Sequence, residues 1–152
     1  MMNGLEFRKL CPELETTLSQ FFADLDAGGT GHHFHPHPFT PAEAKRLCGY
    51  DGADLYYVAV AGGRVLGYGM LRGWDEGYKI PSLGIAFHPD AHGKGLGRLF
   101  MMFLHVAAKL RGARRIRLKV YPDNTAAVKL YESLGYRYAE TSEGQLVGFL
   151  DL

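Results

Sequence analysis

The stretch over residues 80–120 constrains the fold most tightly. It reads IPSLGIAF, then a segment with glycines at positions 93, 95 and 97, then a long apolar repeat, and then RRIRLKV. The first and last pieces are typical of strands and the apolar repeat of a helix. A strand–helix–strand crossover is right-handed and returns the chain to the same sheet, so the two strands are expected to be parallel neighbours.

The rest of the chain predicts the other elements of a mixed sheet. GLEFRKL predicts a first strand, LYYVAVAGGRVLGYGMLRG a hairpin around two glycines, and YRYAETSEGQLVGFLDL a closing hairpin. Helices are predicted after Pro12, after a capping box at residues 40–43 and after Asp123 or Asn124, either of which is expected to cap the last helix. We therefore expect one α/β domain over residues 1–152, with about seven strands, four helices and one parallel strand pair.

Two patterns in the crossover make more specific predictions. The apolar positions of the long helix at spacings of three and four are Leu96, Leu99, Phe100, Phe103, Ala107 and Leu110. This spacing is typical of an α-helix. The next strand alternates Arg115, Arg117 and Lys119 with apolar residues, although a strand covered on both faces would be apolar throughout. Their aliphatic stems are therefore expected to lie across the sheet edge.

Composition limits the classes of function. The chain is 47% hydrophobic and 22% charged, and its net charge of +1 provides no general attraction for nucleic acid or an anionic membrane. Cys11 and Cys48 have neither metal-binding nor redox spacing, and no apolar run predicts a signal peptide or a membrane span. We expect a cytoplasmic monomer or homodimer that binds neither nucleic acid nor membrane.

The glycine segment before the long helix is the first candidate binding site. Gly costs roughly 1 kcal/mol against Ala inside a helix, so three glycines at a helix start need a reason. A helix N-terminus presents unpaired N–H groups and partial positive charge, and residues without a Cβ let the backbone approach a phosphate. The spacing matches neither common nucleotide-binding motif. From the glycines alone, a structural turn and a phosphate loop both stay open.

The surroundings of this segment resemble a known family. FHPDAHGKGLGRLF after a strand is similar to the acyl-CoA pyrophosphate loop of the GNAT acetyltransferase superfamily, whose Arg/Gln-x-x-Gly-x-Gly/Ala pattern falls on His92, Gly95 and Gly97. His92 departs from the Arg or Gln that the family prefers. NTAAVKLYESLGY is similar to the family's second motif, with matches at Asn124, Ala127, Tyr131, Gly135 and Tyr136.

The resemblance implies that acetyl-CoA is the acyl donor and that the family's pantetheine arm pairs with the strand before the loop. The cofactor-binding residues implied in this way are Ile85, Ala86, Phe87, His92, Gly93, Lys94, Gly95, Leu96, Gly97, Arg98, Asn124 and Ala127. Small residues at 82, 84 and 86 of that strand fit a closely approaching ligand. They fit the packing of a helix equally well.

The resemblance also implies direct attack of an amine on the thioester. Tyr131 is then the candidate general acid, because a phenol with a pKa of about 10 is protonated at neutral pH. Its helical spacing with Leu130 and Leu134 also fits a core aromatic. No carboxylate stands at the start of the strand before the loop, where the family often has one. The segment GWDEGYK just upstream offers Asp75 and Glu76, of which Glu76 is the candidate base, with plain turn residues and a water chain as the alternatives.

The acceptor is expected between the loops HHFHPHPF and GWDEGYK, which the resemblance places beside the thioester. The candidate acceptor-binding residues are Phe34, His35, His37, Trp74 and Tyr78. Rings next to titratable groups suit an amine on a ring-shaped or partly apolar molecule, such as an amino sugar or an aromatic amine. The same aromatic residues also fit a core closed beneath a long loop.

Three classes of function stay open from the sequence. The first is an acetyl-CoA-dependent N-acetyltransferase acting on a small molecule or a peptide. The second is a GNAT-like module that binds or senses acyl-CoA without transfer, which the missing carboxylate favours and Tyr131 disfavours. The third is a metal protein built on the histidines at 32, 33, 35 and 37, which no carboxylate or cysteine accompanies. We expect the enzyme, with no metal.

Overall fold

The computed structural model describes residues 4–29 and 33–152. The strands are β1 (Glu6–Lys9), β2 (Leu55–Ala61), β3 (Arg64–Arg72), β4 (Ser82–Phe87), β5 (Arg115–Val120), β6 (Arg137–Ser142) and β7 (Gln145–Asp151). The helices are α1 (Glu15–Ala27), α2 (Pro41–Cys48), α3 (Leu96–Leu110) and α4 (Thr125–Ser133). Short 3₁₀ turns lie at Pro12–Leu14, Trp74–Glu76 and Pro89–Ala91. Within the described ranges, no helix is both long enough and apolar enough to cross a membrane.

The seven strands form one sheet in the order β1-β2-β3-β4-β5-β7-β6. In this part of the chain every neighbouring pair is antiparallel except β4 with β5, which flank α3. The prediction of a mixed α/β sheet with four helices and one parallel pair is confirmed. The pair arises because α3 carries the chain back along the sheet in the same direction.

The parallel pair is short. Ser82 pairs with Arg117 and Leu83 with Leu118, and the ladder ends there. β4 nevertheless stays paired with β3 as far as Phe87, and β5 stays paired with β7 as far as Val120. From Gly84 onward the two strands therefore separate. The backbone of residues 84–87 faces a gap on its β5 side, with no strand of the described chain across from it, and the gap opens towards the start of α3.

Helices cover the two faces of the sheet unequally. α3 and α4 pack on one face, in a core that includes Phe100, Leu104 and Ile116. α1 and α2 pack on the other, in a core that includes Phe22 and Tyr68. Among the described residues, the second core contains nothing from β5, β6 or β7. That half of the sheet is therefore packed against helices on one face only.

The cations of β5 lie on this uncovered face. Arg115 Nε donates to Asp151 Oδ1 on β7 at 2.7 Å, and its guanidinium lies 5.7 Å from the Phe149 ring centroid. Lys119 Nζ lies 4.0 Å from a Glu143 carboxylate oxygen. The prediction that their stems lie across the sheet edge is wrong, because β5 is an inner strand. The alternation reflects a strand with one buried face and one open face.

The buried face of α3 does not coincide with the apolar positions that its helical spacing picks out. The buried positions are Leu96, Phe100, Met101, Leu104 and Ala108. Leu99 and Leu110 share the helical spacing but are 47% and 84% exposed. Apolar residues surround most of this helix, so more than one set of positions fits a helical spacing.

Candidate functional site

The gap between β4 and β5 ends at the glycine loop. Gly93 and Gly95 have left-handed φ angles of 75° and 81°, a conformation that favours glycine. Within the described chain no side chain caps α3, and its first turn holds no acidic residue. The first N–H groups of a helix have no partner inside it. Because residues 92–95 are exposed, this positive helix end is open to an anion.

His88 joins the start of the glycine loop to α1 through hydrogen bonds. Its Nδ1 accepts from the Asp90 N–H at 3.1 Å, so the proton is on Nε2, which donates to Asp24 Oδ2 on α1 at 2.9 Å. Hydrogen bonds from Gln20 and then from His88 lower the pKa of Asp24. Lys94 Nζ donates to the Asp90 carbonyl at 3.0 Å. Nothing in the sequence places α1 beside this loop, so the pairing of His88 with Asp24 could not be predicted from it.

The small residues of β4 are explained by packing within the protein. A Cβ at Gly84 would lie 3.1 Å from Met70 Cγ and 3.4 Å from Phe34 Cε1. Ala86 is buried in the core beneath α1 and α2, whereas Ile85 and Phe87 pack towards α3. The neighbours at Gly84 are thus side chains of β3 and of the α1–α2 loop rather than a helix. The part of β4 that is open to a ligand is its backbone edge along the gap.

Tyr131 lies on α4 and packs into the core that contains β5 residues. Burial raises its pKa, so the phenol stays protonated at neutral pH. Its hydroxyl makes no hydrogen bond to the described residues. Among these residues, however, every fully buried side-chain N or O atom has a hydrogen-bond partner. The hydroxyl therefore keeps contact with solvent although the ring is buried.

Two neighbouring tyrosines differ from Tyr131 in this respect. Tyr136 Oη lies 2.8 Å from His105 Nε2, and the Tyr138 hydroxyl donates to the Val128 carbonyl at 3.0 Å. Burial lowers the pKa of His105, which keeps its ring neutral near pH 7. Of the three tyrosines, Tyr131 is therefore the one whose hydroxyl makes no hydrogen bond within the described part of the chain, so this hydroxyl is available to donate to a ligand.

Asn124 precedes α4 without capping it through its side chain. The backbone carbonyl of Asn124 accepts from the Val128 N–H at 3.0 Å, and the Asn124 amide group has no partner in the described chain. Asn124 therefore occupies the N-cap position, as predicted, but its side chain forms no capping hydrogen bond. Ala127 is half-buried and packs against the core beneath α3 and α4. The amide of Asn124 is thus free to meet a ligand at the side of the gap that β5 and α4 form.

The α1–α2 loop reaches across the gap. His33 Nε2 lies 3.2 Å from Asp123 Oδ1, and His35 Nε2 lies 2.8 Å from Tyr121 Oη. Tyr121 and Asp123 follow β5, on the far side of the gap from β4. His32 lies outside the described residues. Within the described ones, no group of three or more His, Cys, Asp or Glu could hold a metal ion.

His37 and Phe34 serve the core beneath this loop. His37 Nδ1 donates to the Pro38 carbonyl at 2.9 Å, so Nε2 accepts from the buried Tyr68 hydroxyl, also at 2.9 Å. Burial lowers the pKa of His37. Phe34 stacks on Phe39 with ring centroids 6.0 Å apart. Of these two predicted acceptor residues, His37 is therefore engaged within the core, whereas Phe34 reaches the gap beside Gly84.

A cleft of about 880 Å³ lies where β4 begins. Its lining includes Arg72, Ser82 and Arg117 from three adjacent strands, together with Glu76 and Tyr78 from the turn after β3. Glu76, the candidate base, is exposed at this cleft. Tyr78 is 62% exposed. The cleft adjoins the last paired residues of β4 and β5, where the gap starts.

The other carboxylate of the turn has a structural task. Asp75 accepts hydrogen bonds from the Tyr50 hydroxyl and, at 2.8 Å, from the Ala53 N–H. The Tyr50 bond and then the Ala53 bond lower the pKa of Asp75, which makes it a weak base. Of the two carboxylates in this turn, only Glu76 forms no hydrogen bond or ion pair with the described residues.

Trp74 lies apart from the acceptor residues predicted in the α1–α2 loop. It packs against the core beneath α3, and the Arg111 guanidinium lies 5.1 Å from its ring centroid. It lines a second groove of about 560 Å³ rather than the cleft, and Tyr78 lines both. The structure therefore does not bring Trp74 together with Phe34 and His37, because the backbone turn after β3 directs it to the opposite face.

Comparison with known proteins identifies the class to which this fold and site belong. The model of the Acetyltransferase (GNAT) family matches residues 19–136, and the chain belongs to that family. It is 32% identical to an acetyltransferase of Sodalis glossinidius over 88 residues, which are 58% of this chain and 61% of the relative. It is also 32% identical to an acetyltransferase of Pectobacterium atrosepticum over 83 residues, 55% of this chain and 57% of the relative. The matched part spans less than two thirds of each relative.

Solved structures share the whole fold. A GCN5-related N-acetyltransferase of Kribbella flavida superposes with a TM-score of 0.80 at 25% identity, covering 97% of this chain and 98% of the other. The PaiA N-acetyltransferase of Thermoplasma acidophilum, solved in complex with coenzyme A, gives a TM-score of 0.78 at 16% identity, covering 98% and 99%. The second likeness is one of fold alone.

Proposed function

We propose that this protein is an N-acetyltransferase that transfers the acetyl group of acetyl-CoA directly to the amine of a small molecule or a peptide. One observation carries the proposal: in a GNAT-family chain, the gap between β4 and β5 leads directly to the uncapped, positively polarised start of α3. The coenzyme A complex of the PaiA protein, which shares the fold, supports the choice of thioester. We place the protein in the cytoplasm, where free thiols such as Cys11 and Cys48 persist.

Backbone groups supply most of the binding of acetyl-CoA in this proposal. The N–H groups of residues 93–98 bind the pyrophosphate, and the β4 edge at residues 84–87 binds the pantetheine arm. The free amide of Asn124 meets that arm from the other side. Arg98 Nη2 donates to Ser133 Oγ at 2.7 Å, which holds an exposed cation beside the loop. Because the backbone supplies most of the contacts, His92 at the family's Arg or Gln position is compatible with binding.

The chemistry requires a neutral amine, a stabilised oxyanion and a protonated leaving group. A free alkylamine has a pKa of about 10, so a proton must leave it, to Glu76 or to a water chain. As the N–C bond forms and the C–S bond breaks, a β4 backbone N–H at residues 85–87 stabilises the oxyanion. Tyr131 gives its hydroxyl proton to the sulfur and regains one from solvent.

The acceptor lies beneath the α1–α2 loop. Phe34 and Tyr78 supply two rings near the start of the gap, and His35, bonded to Tyr121, supplies an imidazole further along it. This set suits an amino sugar, an aromatic amine or a peptide end. Trp74 is left out of the proposed site because it does not line the cleft.

The second candidate is a module that binds acyl-CoA without transferring the acyl group. The absence of an acid on β4 and the engagement of Asp75 favour it. A screen of an amine library with acetyl-CoA, read out as release of free CoA, separates the two. Release that depends on an amine supports the acetyltransferase. Binding of acetyl-CoA with no release for any amine supports the binding module.

A further inference from the structure

Two arginines and a serine form a row across the sheet at the start of β4. Arg72 of β3 is in register with Ser82, and Ser82 is in register with Arg117 of β5. Residues in register across a sheet point to the same face. That face is the one beneath the α1–α2 loop, because Arg72 Nη1 donates to the Pro36 carbonyl at 3.5 Å. All three line the cleft of about 880 Å³.

Neither arginine has a carboxylate partner among the described residues. Arg117 Nη1 donates to Ser82 Oγ at 3.4 Å, and both guanidinium groups are half-buried. A guanidinium has five N–H donors, so most donors of each group are left for a ligand. Neighbouring strands are roughly 4.8 Å apart, which places the backbones of the two arginines about 10 Å from each other with Ser82 between them. A bound anion would relieve the repulsion between the two guanidinium groups.

The acidic residues of the cleft are for the most part already engaged. Asp54 Oδ1 accepts from the backbone N–H groups of Gly73, Trp74 and Asp75 at 3.0, 2.9 and 3.2 Å. Asp75 accepts from Tyr50 and Ala53. These two carboxylates stabilise the turn after β3, and the remaining one, Glu76, is exposed. The carboxylates of the cleft keep their charge, but none of them forms an ion pair with Arg72 or Arg117 in the described chain.

The proposed phosphate site of acetyl-CoA is too far from these two arginines for the phosphates to bind them. Ser82 opens β4 and Phe87 closes it, and five residues of extended strand measure roughly 17 Å. The phosphate loop lies beyond Phe87, at the opposite end of the strand. The gap itself begins at Gly84, only about 7 Å along β4 from Ser82.

We propose that Arg72 and Arg117 bind a carboxylate of the acceptor, which is then a small, amino-acid-like primary amine whose nitrogen lies a few bonds from that carboxylate. This inference rests on the proposed function and specifies its substrate class. A carboxylate is planar and matches the fork of a guanidinium with two parallel hydrogen bonds. With its carboxylate held over Ser82, the acceptor extends its amine to the start of the gap, where the thioester lies.

The test uses amines in matched pairs with and without a carboxylate: 4-aminobutyrate with butylamine, and 6-aminohexanoate with hexylamine. Ethanolamine phosphate tests a phosphate at the same distance. The first measurement is kcat/KM for release of CoA. The second needs no activity: titration of each compound while the side-chain Nε resonances of the arginines are followed by NMR. The variants are Arg117→Gln and the control Arg115→Gln, on the same strand and face but already paired with Asp151.

We expect kcat/KM to be roughly 10–100-fold higher for the carboxylate member of a pair, as charge-assisted hydrogen bonds predict. Arg117→Gln abolishes this preference and Arg115→Gln retains it. Carboxylate-dependent shifts of the Arg72 and Arg117 resonances without any CoA release would support the anion site and reject the acetyltransferase. Acetylation of both members alike, no carboxylate-dependent shift at either arginine, or stronger binding of ethanolamine phosphate would overturn the carboxylate site.

Discussion

Leu83 and Leu118 are the last residues that β4 and β5 hold in register, and beyond them the two strands part. Leu83 belongs to the buried core beneath α3, as does Leu118, so the end of the ladder is fixed by packing. On one side of this pair the backbone edge of β4 faces the gap. On the other side Ser82 and Arg117 line the cleft. The pair therefore separates the place proposed for the thioester from the place proposed for the acceptor.

The first prediction concerns the glycine loop. Gly95→Val is expected to weaken binding of acetyl-CoA strongly, because a branched side chain blocks the approach of a phosphate to the N–H groups at the start of α3. Isothermal titration calorimetry measures the affinity. Gly95 has φ of 81°, so valine also introduces backbone strain.

Gly112→Val is the matched control. Gly112 has φ of 96° at the other end of α3, and a Cβ there, as at Gly95, would meet nothing within 4 Å. The two variants are expected to lose similar stability, while only Gly95→Val loses affinity. Equal affinity in both folded variants would move the pyrophosphate away from this loop.

The second prediction concerns the general acid. Tyr131→Phe is expected to lower turnover by roughly 10²–10⁴-fold with little change in acetyl-CoA affinity, since only proton donation is removed. Tyr136→Phe, which removes the neighbouring hydroxyl that His105 holds, is expected to retain turnover. Steady-state rates together with binding data measure both. Full activity of Tyr131→Phe with chemistry shown to limit the rate would make Tyr131 a core residue only.

The sequence predicts the order and type of the helices and strands more completely than it predicts how they pack. Strand and helix types follow from local periodicity, so the element order and the parallel pair were accessible from the sequence. The buried face of α3 was not, because Leu99 and Met102 are as apolar as Phe100 and Leu104. The single-sided cover of β5 depends on where α1 and α2 pack, and this is a tertiary property that Arg115 and Arg117 show only indirectly.

The third prediction concerns the turn after β3. Trp74→Ala is expected to lower the free energy of unfolding by about 1–3 kcal/mol, because the half-buried ring packs on the core and under Arg111. KM for the acceptor should stay nearly constant. Tyr78→Ala, at an exposed position of the cleft, is expected to do the reverse. Urea unfolding and acceptor kinetics on both variants provide the check, and a raised acceptor KM in Trp74→Ala at unchanged stability would return Trp74 to the acceptor site.

The fourth prediction concerns pH. Burial lowers the pKa of His37 and His105 below their ordinary value of about 6.5. As the pH falls below that value, the unfolded chain binds protons at these rings before the folded chain does, so stability decreases. The carboxylates with lowered pKa values, such as Asp24 and Asp75, affect the pH dependence of stability only at more acidic pH.

Urea unfolding at several values between about pH 7 and pH 5 measures this slope. The double variant His37→Gln, His105→Gln is expected to flatten it. His92→Gln is the control, because His92 is exposed on the loop. An unchanged slope in the double variant would assign the pH dependence to other groups.

The parts of the candidate site that lie within one continuous segment could be predicted from the sequence, and the parts that several segments contribute could not. The glycine loop and α4 each form one continuous segment, so residues 92–98 and Tyr131 could be named from motifs. The arginine row at Ser82 could not, because its members come from three strands whose register only the structure gives. Trp74 was assigned to the acceptor because it shares the loop GWDEGYK with Tyr78, whereas the structure places both residues at the second groove and only Tyr78 at the cleft as well.

Titration of the ¹⁵N-labelled protein with acetyl-CoA, followed by amide NMR, tests the central proposal most directly. The N–H groups of residues 93–98 at the start of α3 and of residues 84–87 along the gap are expected to shift first and most, because they bind the pyrophosphate and the pantetheine arm. The amides around Gly112, at the far end of α3, serve as the internal control and are expected to stay in place. Shifts confined to the cleft at Ser82 and Arg117, or a saturable response that leaves residues 93–98 unmoved, would contradict the proposed site.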